Sequence, residues 1–218
     1  MAREVNSPRR SYHSPLRVDQ AQQTRRKVLE SARRLFVENG YAGTTVASVA
    51  TDAGVSPETI YLSLGGKRGL LEGVMEITGP HDSAVDDEEW WAMVTGLPDA
   101  AERLDRMVEY SCRILARTQR IHAIIRGASD SEAFAAEFGR RLLAERLANQ
   151  TERIRRFIAK DLRPGLSIAE AGQKYCALTS PELYHLLTVE IGWRADRHKK
   201  WVTELMRTDL LGAEPDLP

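Results

Sequence analysis

Residues 44–67 read TTVASVATDAGVSPETIYLSLGGK, and this stretch decides the fold. Its first half predicts a short helix over about 46–53, with four apolar residues on one face: Val46, Val49, Ala50 and Ala53. A glycine suited to a tight turn follows, and Ser56 and Pro57 predict the start of a second helix over about 57–63. Two short helices joined in this way are typical of a helix-turn-helix, which places its second helix in the major groove of DNA.

The flanking sequence supplies the helices that would support this motif. A preceding helix is predicted over about 21–39, where Asn39-Gly40 ends its apolar stripe, and a following helix over about 67–78. We expect the core that braces the two motif helices to contain Val49, Ala50, Val55 and Ile60.

Composition permits this interpretation and adds a weak charge signal. The chain has 218 residues, 42% of them hydrophobic, and a net charge of zero. Residues 1–76 carry 11 Lys and Arg against 8 Asp and Glu, whereas residues 77–218 carry 20 against 23. The predicted DNA-binding end is therefore the basic end. Cys112 and Cys176 lack metal-ligand spacing, so we expect two buried thiols and no metal site.

Changes in residue composition along the chain predict its division into domains and linkers. Residues 1–20 are rich in Pro, Ser and Arg and are predicted to form a flexible basic arm, which either contacts DNA or has no role. Residues 21–78 are predicted to form the DNA-binding domain. The polar acidic residues 79–89 are expected to be a linker, residues 90–212 a larger helical domain, and residues 213–218 a tail. Helices in the larger domain are predicted over about 99–118, 167–179, 180–190 and 195–211. Residues 131–161 are predicted to form one long helix or two end to end, since residues 149–151 interrupt the apolar stripe. No alternating strand pattern occurs, so the predicted fold class is all-α.

The stretch from about Arg25 to Leu71 resembles the DNA-binding domain of the TetR family of bacterial transcriptional regulators. The segments that carry the resemblance are LFVENGYAGTTV, VATDAGVSPETIY and GGKRGLL, which occur in register. The resemblance implies that a set of side chains, most of them polar, faces DNA: Thr44, Thr45, Pro57, Glu58, Thr59, Tyr61, Ser63 and Lys67. Ser63, Leu64 and Gly66 depart from the family pattern. The lack of an aromatic ring at residues 63 and 64 puts one phosphate contact and some packing in doubt, whereas Gly66 is still an acceptable N-cap.

Three of these residues have a second interpretation. Thr45 can simply cap its helix, and Tyr61 can pack its ring and expose only its tip. Glu58 either accepts a hydrogen bond from a cytosine amino group or is a solvated charge favoured by the helix dipole, and we favour the dipole.

The resemblance also implies that the C-terminal helices bind a small molecule and form a two-fold dimer. Aromatic, sulfur-bearing and polar residues in this region are candidates for a ligand pocket, although the apolar ones equally suit a core: Trp90, Met107, Tyr110, His122, Arg126, Phe134, Phe138, Tyr175 and Cys176. Large apolar residues of the last helices are candidates for the dimer interface: Leu183, Leu187, Trp193, Trp201 and Leu205.

The sequence therefore predicts a homodimeric repressor that binds a palindromic operator and is released by a hydrophobic or amphipathic effector. A DNA-binding regulator without an effector, or an activator, is the alternative. The chain shows no catalytic motif and no cofactor motif, so neither enzymatic activity nor a cofactor is expected. No apolar run reaches about 18 residues and no secretory signal is present, so we expect a cytoplasmic protein with no membrane association.

Overall fold

A computed structural model of the chain describes residues 15–79 and 87–212. These residues form ten α-helices and no strand, so the predicted all-α fold is confirmed. The helices are α1 (Pro15–Gly43), α2 (Val46–Ala53), α3 (Pro57–Leu64), α4 (Lys67–Thr78), α5 (Asp87–Thr95), α6 (Ala100–Ala128), α7 (Ala133–Phe157), α8 (Ile168–Leu178), α9 (Pro181–His185) and α10 (Ala195–Met206). Most of the predicted N-terminal arm (residues 1–14), residues 80–86 of the predicted linker and the tail lie outside the described residues.

The first four helices follow the sequence prediction closely, except at the ends of α1. Helices α2 and α4 span the predicted residues, and α3 ends one residue later than predicted. Helix α1 begins at Pro15 rather than near residue 21. The chain also resumes helical structure after Gly40, whose φ of 70° makes a kink at the predicted helix end.

The larger helices differ from the prediction in length. Helix α6 continues ten residues beyond the predicted end at residue 118. Helix α7 is unbroken across residues 149–151, so of the two predicted alternatives it is the single helix, and it ends at Phe157 rather than near residue 161. Helix α5 was not predicted as a separate element. Helices α9 and α10 each continue into one π-helical turn, Leu186–Glu190 and Arg207–Leu211.

Two apolar cores hold the molecule together. The first contains the buried residues of α1–α4 and extends onto the end of α6 and the start of α7 through Ile121, Ile125, Ala135 and Phe138. The second lies among α5, α6, α7, α8 and α10. The long helix α6 belongs to both cores, so it joins the helix-turn-helix to the C-terminal helices. None of the described helices is both long and apolar enough to cross a bilayer.

Candidate nucleic-acid interface and effector cavity

Capping hydrogen bonds and a glycine turn set the bounds of the two helices of the helix-turn-helix. Thr45 and Ser48 form a reciprocal capping box at the start of α2, in which each backbone N–H donates to the other residue's hydroxyl at 3.0 Å. The turn between α2 and α3 is left-handed at Gly54 (φ 68°, ψ 38°), a conformation that costs a glycine little. Ser56 then caps α3 by accepting from the N–H of Thr59.

The predicted bracing core holds the two motif helices. Val49, Ala50 and Ile60 are buried, and Val55 is half-buried against the same core. Ile60 is buried, so the opposite side of α3 points away from the domain. The exposed side of α3 carries Glu58, Tyr61, Leu62 and Ser63.

Tyr61 and Lys67 lie at the junction of α3 and α4. The Tyr61 side chain is 58% exposed, and its ring packs so closely over Gly66 that a Cβ there would lie 3.0 Å from Cε1. Lys67 begins α4, with Nζ 4.2 Å from the centre of the Tyr41 ring and 3.5 Å from the carbonyl oxygen of Ala42. Partial burial lowers the pKa of Lys67 from its usual value. These contacts hold a hydroxyl and an ammonium group beside the exposed face of α3.

The structure contradicts one predicted DNA contact. Thr44 is 1% exposed, and its hydroxyl donates to the carbonyl oxygens of Leu35 and Gly40 at 3.0 and 2.9 Å. The Thr44 hydroxyl thus satisfies backbone carbonyl groups in the last part of α1 and does not face outward, whereas the neighbouring Thr45 is exposed. The two threonines are alike in sequence, and only the geometry of the α1–α2 turn separates them.

The remaining predicted contacts lie at or near the outward face of α3. Pro57 and Thr59 are half-buried, and Ser63 is exposed with its Oγ donating to the Thr59 carbonyl oxygen at 2.6 Å. Hydrogen bonds from its own backbone and from Ser56 lower the pKa of Glu58. This carboxylate is thus engaged at the N-terminus of α3, which favours the dipole interpretation.

Sequence reasoning missed Leu62. It is 90% exposed and lies on the outward face of α3, between Tyr61 and Ser63. Its position two residues after the buried Ile60 could have identified it, because helical periodicity places such residues on opposite sides.

A mostly apolar cavity of about 170 Å³ lies among α4, α6, α7 and the α8–α9 junction. Its apolar wall includes Met75, Ile114, Leu115 and Leu142. The polar groups around it include those of Tyr110, Thr118, His122, Glu145, Arg146, Asn149, Gln150 and Arg153. Two larger pockets, of about 660 and 650 Å³, are as open to solvent as this cavity and are lined by more charged than apolar residues.

Only two of the predicted pocket residues, Tyr110 and His122, line this cavity. Burial, and then the charge of Arg146, lower the pKa of His122 to about 4, so its imidazole is neutral near pH 7. Tyr175 is buried behind the wall, where its hydroxyl lies 3.0 Å from Ser111 Oγ.

The other predicted pocket residues lie elsewhere. Trp90 and Met107 belong to the second core, and Cys176 is buried outside the cavity wall. Phe134 and Phe138 pack against the core of α1–α4, because α7 begins beside the N-terminal helices. Arg126 is half-exposed and pairs with Glu182 at 3.4 Å.

The last helices expose four large apolar side chains: Leu186, Val189, Ile191 and Leu205. Of the predicted interface residues, only Leu205 is among them. Leu187 is buried, and Leu183, Trp193 and Trp201 are half-buried, with the two indole rings in edge-to-face contact at 5.8 Å. The π-helical turn after α9 shifts the helical register there, which sequence periodicity alone does not indicate.

Residues 28–74 match the family model described as bacterial regulatory proteins, tetR family. The HTH-type transcriptional regulator TtgR of Pseudomonas putida is 29% identical over 113 residues, which are 49% of this chain and 51% of TtgR. YvkB of Bacillus subtilis, an uncharacterized HTH-type transcriptional regulator, is 36% identical over 52 residues, 24% of this chain and 28% of that one. The chain thus spans at most about half the length of these curated relatives.

Solved structures share the fold over nearly the whole chain. NalD, the secondary repressor of the MexAB-OprM multidrug efflux pump in Pseudomonas aeruginosa, superposes with a TM-score of 0.66 at 18% identity, covering 88% of this chain and 98% of NalD. The SmeT–triclosan complex gives a TM-score of 0.69 at 20% identity, covering 90% and 96%. At these identities the likeness concerns the fold alone.

Proposed function

Since this chain belongs to the TetR family of bacterial regulators, we propose that it is a dimeric transcriptional repressor that a small molecule releases from DNA. The observation that carries the proposal is the braced helix-turn-helix, with the outward face of α3 flanked by Tyr61 and Lys67. A hydroxyl and an ammonium group at such positions suit contacts to phosphates, which fix the register of a recognition helix on DNA. In this proposal the protein acts in the cytoplasm, where a bacterial operator lies.

The proposal assigns a role to each region. Residues 21–78 bind DNA, residues 90–212 bind the effector and the second subunit, and residues 1–20 supply basic charge next to the DNA-binding domain. The exposed apolar side chains of the last helices, Leu186, Val189, Ile191 and Leu205, are the candidate dimer contact, because two-fold half-sites require two copies of α3 at a fixed spacing.

Selection of bound duplexes from a random pool by the full chain tests the DNA-binding part. We expect a palindromic sequence, with binding that weakens steeply as salt increases. The triple variant Tyr61→Phe, Thr59→Ala, Lys67→Ala should lose most of this affinity while keeping its melting temperature. Undiminished binding by a folded triple variant would show that α3 and the start of α4 are not the interface.

The cavity is the candidate effector site. An apolar cavity of about 150 Å³ holds one benzene ring in another protein, so the present cavity suits a compound with a single ring or a short chain. Met75 lines it from α4, the helix that begins at Lys67. A ligand that displaces Met75 would therefore act on the same helix that carries a DNA contact.

Thermal shifts with toluene, phenol and hexanoate test the site, and triclosan, the compound in the SmeT complex, tests a larger ligand. We expect the single-ring compounds to raise the melting temperature and to weaken binding to the selected operator. The change Leu115→Trp, which fills the cavity, should abolish both effects. If no compound acts and Leu115→Trp leaves DNA binding unchanged, the alternative of a regulator without a small-molecule effector is favoured.

A further inference from the structure

Leu62 is the most exposed large hydrophobic side chain in the described part of the protein, at 90%. A helix advances about 100° per residue, so Leu62 lies about 200° from the fully buried Ile60 and opposite the face that packs on the core. Glu58 and Thr59 precede it by four and three residues and flank it one turn earlier. Leu62 is therefore at the centre of the surface that α3 offers to a partner.

The rest of this surface has little capacity to read bases by hydrogen bonding. Helix α3, PETIYLSL, contains no Arg, Lys, Asn or Gln, the side chains that make bidentate contacts to guanine and adenine. The Glu58 carboxylate is engaged at the helix N-terminus. The Ser63 hydroxyl donates to the Thr59 carbonyl oxygen, and Thr59 Oγ1 lies 3.2 Å from Ser56 Oγ. The polar groups of Glu58, Thr59 and Ser63 thus have partners within their own helix and cap, whereas the Leu62 side chain is exposed to solvent.

One apolar group in the major groove matches this surface, the C5 methyl of thymine. We propose that Leu62, supported by the neighbouring Thr59, recognises the operator through thymine methyl groups. Thymines at one or two positions of each half-site are then the feature that α3 distinguishes, and Tyr61 and Lys67 position the helix without reading sequence. This inference rests on the proposed function, since it names the DNA feature that the same interface recognises.

Deoxyuridine lacks only the thymine methyl group, so it provides a direct test. Each thymine of the selected operator is replaced in turn by deoxyuridine, and the affinities of the wild type and of Leu62→Ala are measured by fluorescence anisotropy. We expect about fourfold weaker wild-type binding at the critical thymines, the effect of one buried methyl group. Leu62→Ala should bind the thymine operator about tenfold more weakly and be insensitive to the replacement.

Two further variants serve as controls. Leu143→Ala removes another exposed leucine, which lies on α7, and should leave both the affinity and the thymine dependence unchanged. Leu62→Met, which keeps an apolar side chain of similar volume, should retain much of the thymine dependence.

The outcomes separate this inference from the proposed function. Equal sensitivity of wild type and Leu62→Ala to deoxyuridine, or none in either, would overturn the inference while leaving the DNA-binding function intact. Failure of the wild-type chain to enrich any duplex would overturn both.

Discussion

At the scale of single residues, Lys67 offers a measurable electrostatic prediction. Its ammonium group is partly buried beside Tyr41 and the carbonyl oxygen of Ala42, which holds it near the exposed face of α3. If each subunit contacts one phosphate through Lys67, the change Lys67→Met should lower the magnitude of the salt slope, log K against log salt, by about 2 per dimer. Affinity should fall for all sequences alike, because a phosphate contact carries no base information.

Titration of the operator with the variant at several salt concentrations measures this slope. The matched control is Lys200→Met on α10, where the lysine is exposed and lies 3.7 Å from Glu204. An unchanged slope in Lys67→Met would exclude Lys67 as a phosphate contact.

His122 gives a prediction about pH. Its pKa is lowered to about 4 by burial first and then by Arg146, against about 6.5 in an unfolded chain. Between these two pKa values the unfolded chain binds a proton at His122 that the folded chain excludes. The contribution of His122 to the free energy of unfolding is therefore fully present above about pH 6.5 and is lost as the pH falls toward about 4. The free energy of unfolding should decrease by about 2 kcal/mol from this residue between about pH 7 and pH 5. Urea unfolding of the wild type and of His122→Gln at both pH values measures the difference, and an identical pH dependence in the two proteins would contradict it.

At the scale of elements, the turn between α3 and α4 depends on Gly69. A Cβ at this position would lie 1.6 Å from the carbonyl oxygen of Leu64, a backbone atom that cannot move without displacing the end of α3. The change Gly69→Ala should therefore lower the free energy of unfolding by about 1–3 kcal/mol and weaken DNA binding. Gly139→Ala in α7 is the control, because its Cβ would make an ordinary 3.7 Å contact with Ile125. That change should stabilise the protein by about 0.5–1 kcal/mol, since alanine favours a helix over glycine. Thermal and urea unfolding measure whether each change lowers or raises the free energy of unfolding.

Capping residues decided which helix bounds could be predicted from the sequence. Helices α2, α3 and α4 begin and end at capping serine, threonine or glycine residues, so their bounds were predicted to within one residue. The predicted end of α6 was wrong because Thr118 and Gln119 are polar but buried, and they break the apolar stripe without breaking the helix. Gln119 is satisfied by His185 at 2.6 Å, a partner 66 residues away that no local pattern indicates.

At the scale of the whole molecule, the helix-turn-helix was predictable and the cavity was not. Residues 44–67 form one local motif whose caps and periodicity are all in the sequence. The cavity wall instead combines residues from α4, α6, α7 and the α8–α9 junction, and an aromatic or sulfur-bearing residue looks the same whether it lines a cavity or fills a core. This explains why Tyr110 and His122 line the cavity, Tyr110 also belonging to the second core, while Trp90, Met107 and Phe138 belong to cores alone.

The exposed apolar side chains of the last helices give the prediction that concerns the assembly. Ile191, 57% exposed, lies two residues after Val189 on the segment that leads from α9 toward α10. If these side chains form the dimer contact, Ile191→Glu would bury an unpaired carboxylate there, at a cost of about 3 kcal/mol or more. Sedimentation equilibrium should then show dimerisation weakened by about a hundredfold or more, and affinity for a two-fold operator should fall with it. Leu143→Glu, at a 52% exposed leucine of α7, should leave both measurements unchanged. An Ile191→Glu protein that remains dimeric would show that the two subunits meet through another surface.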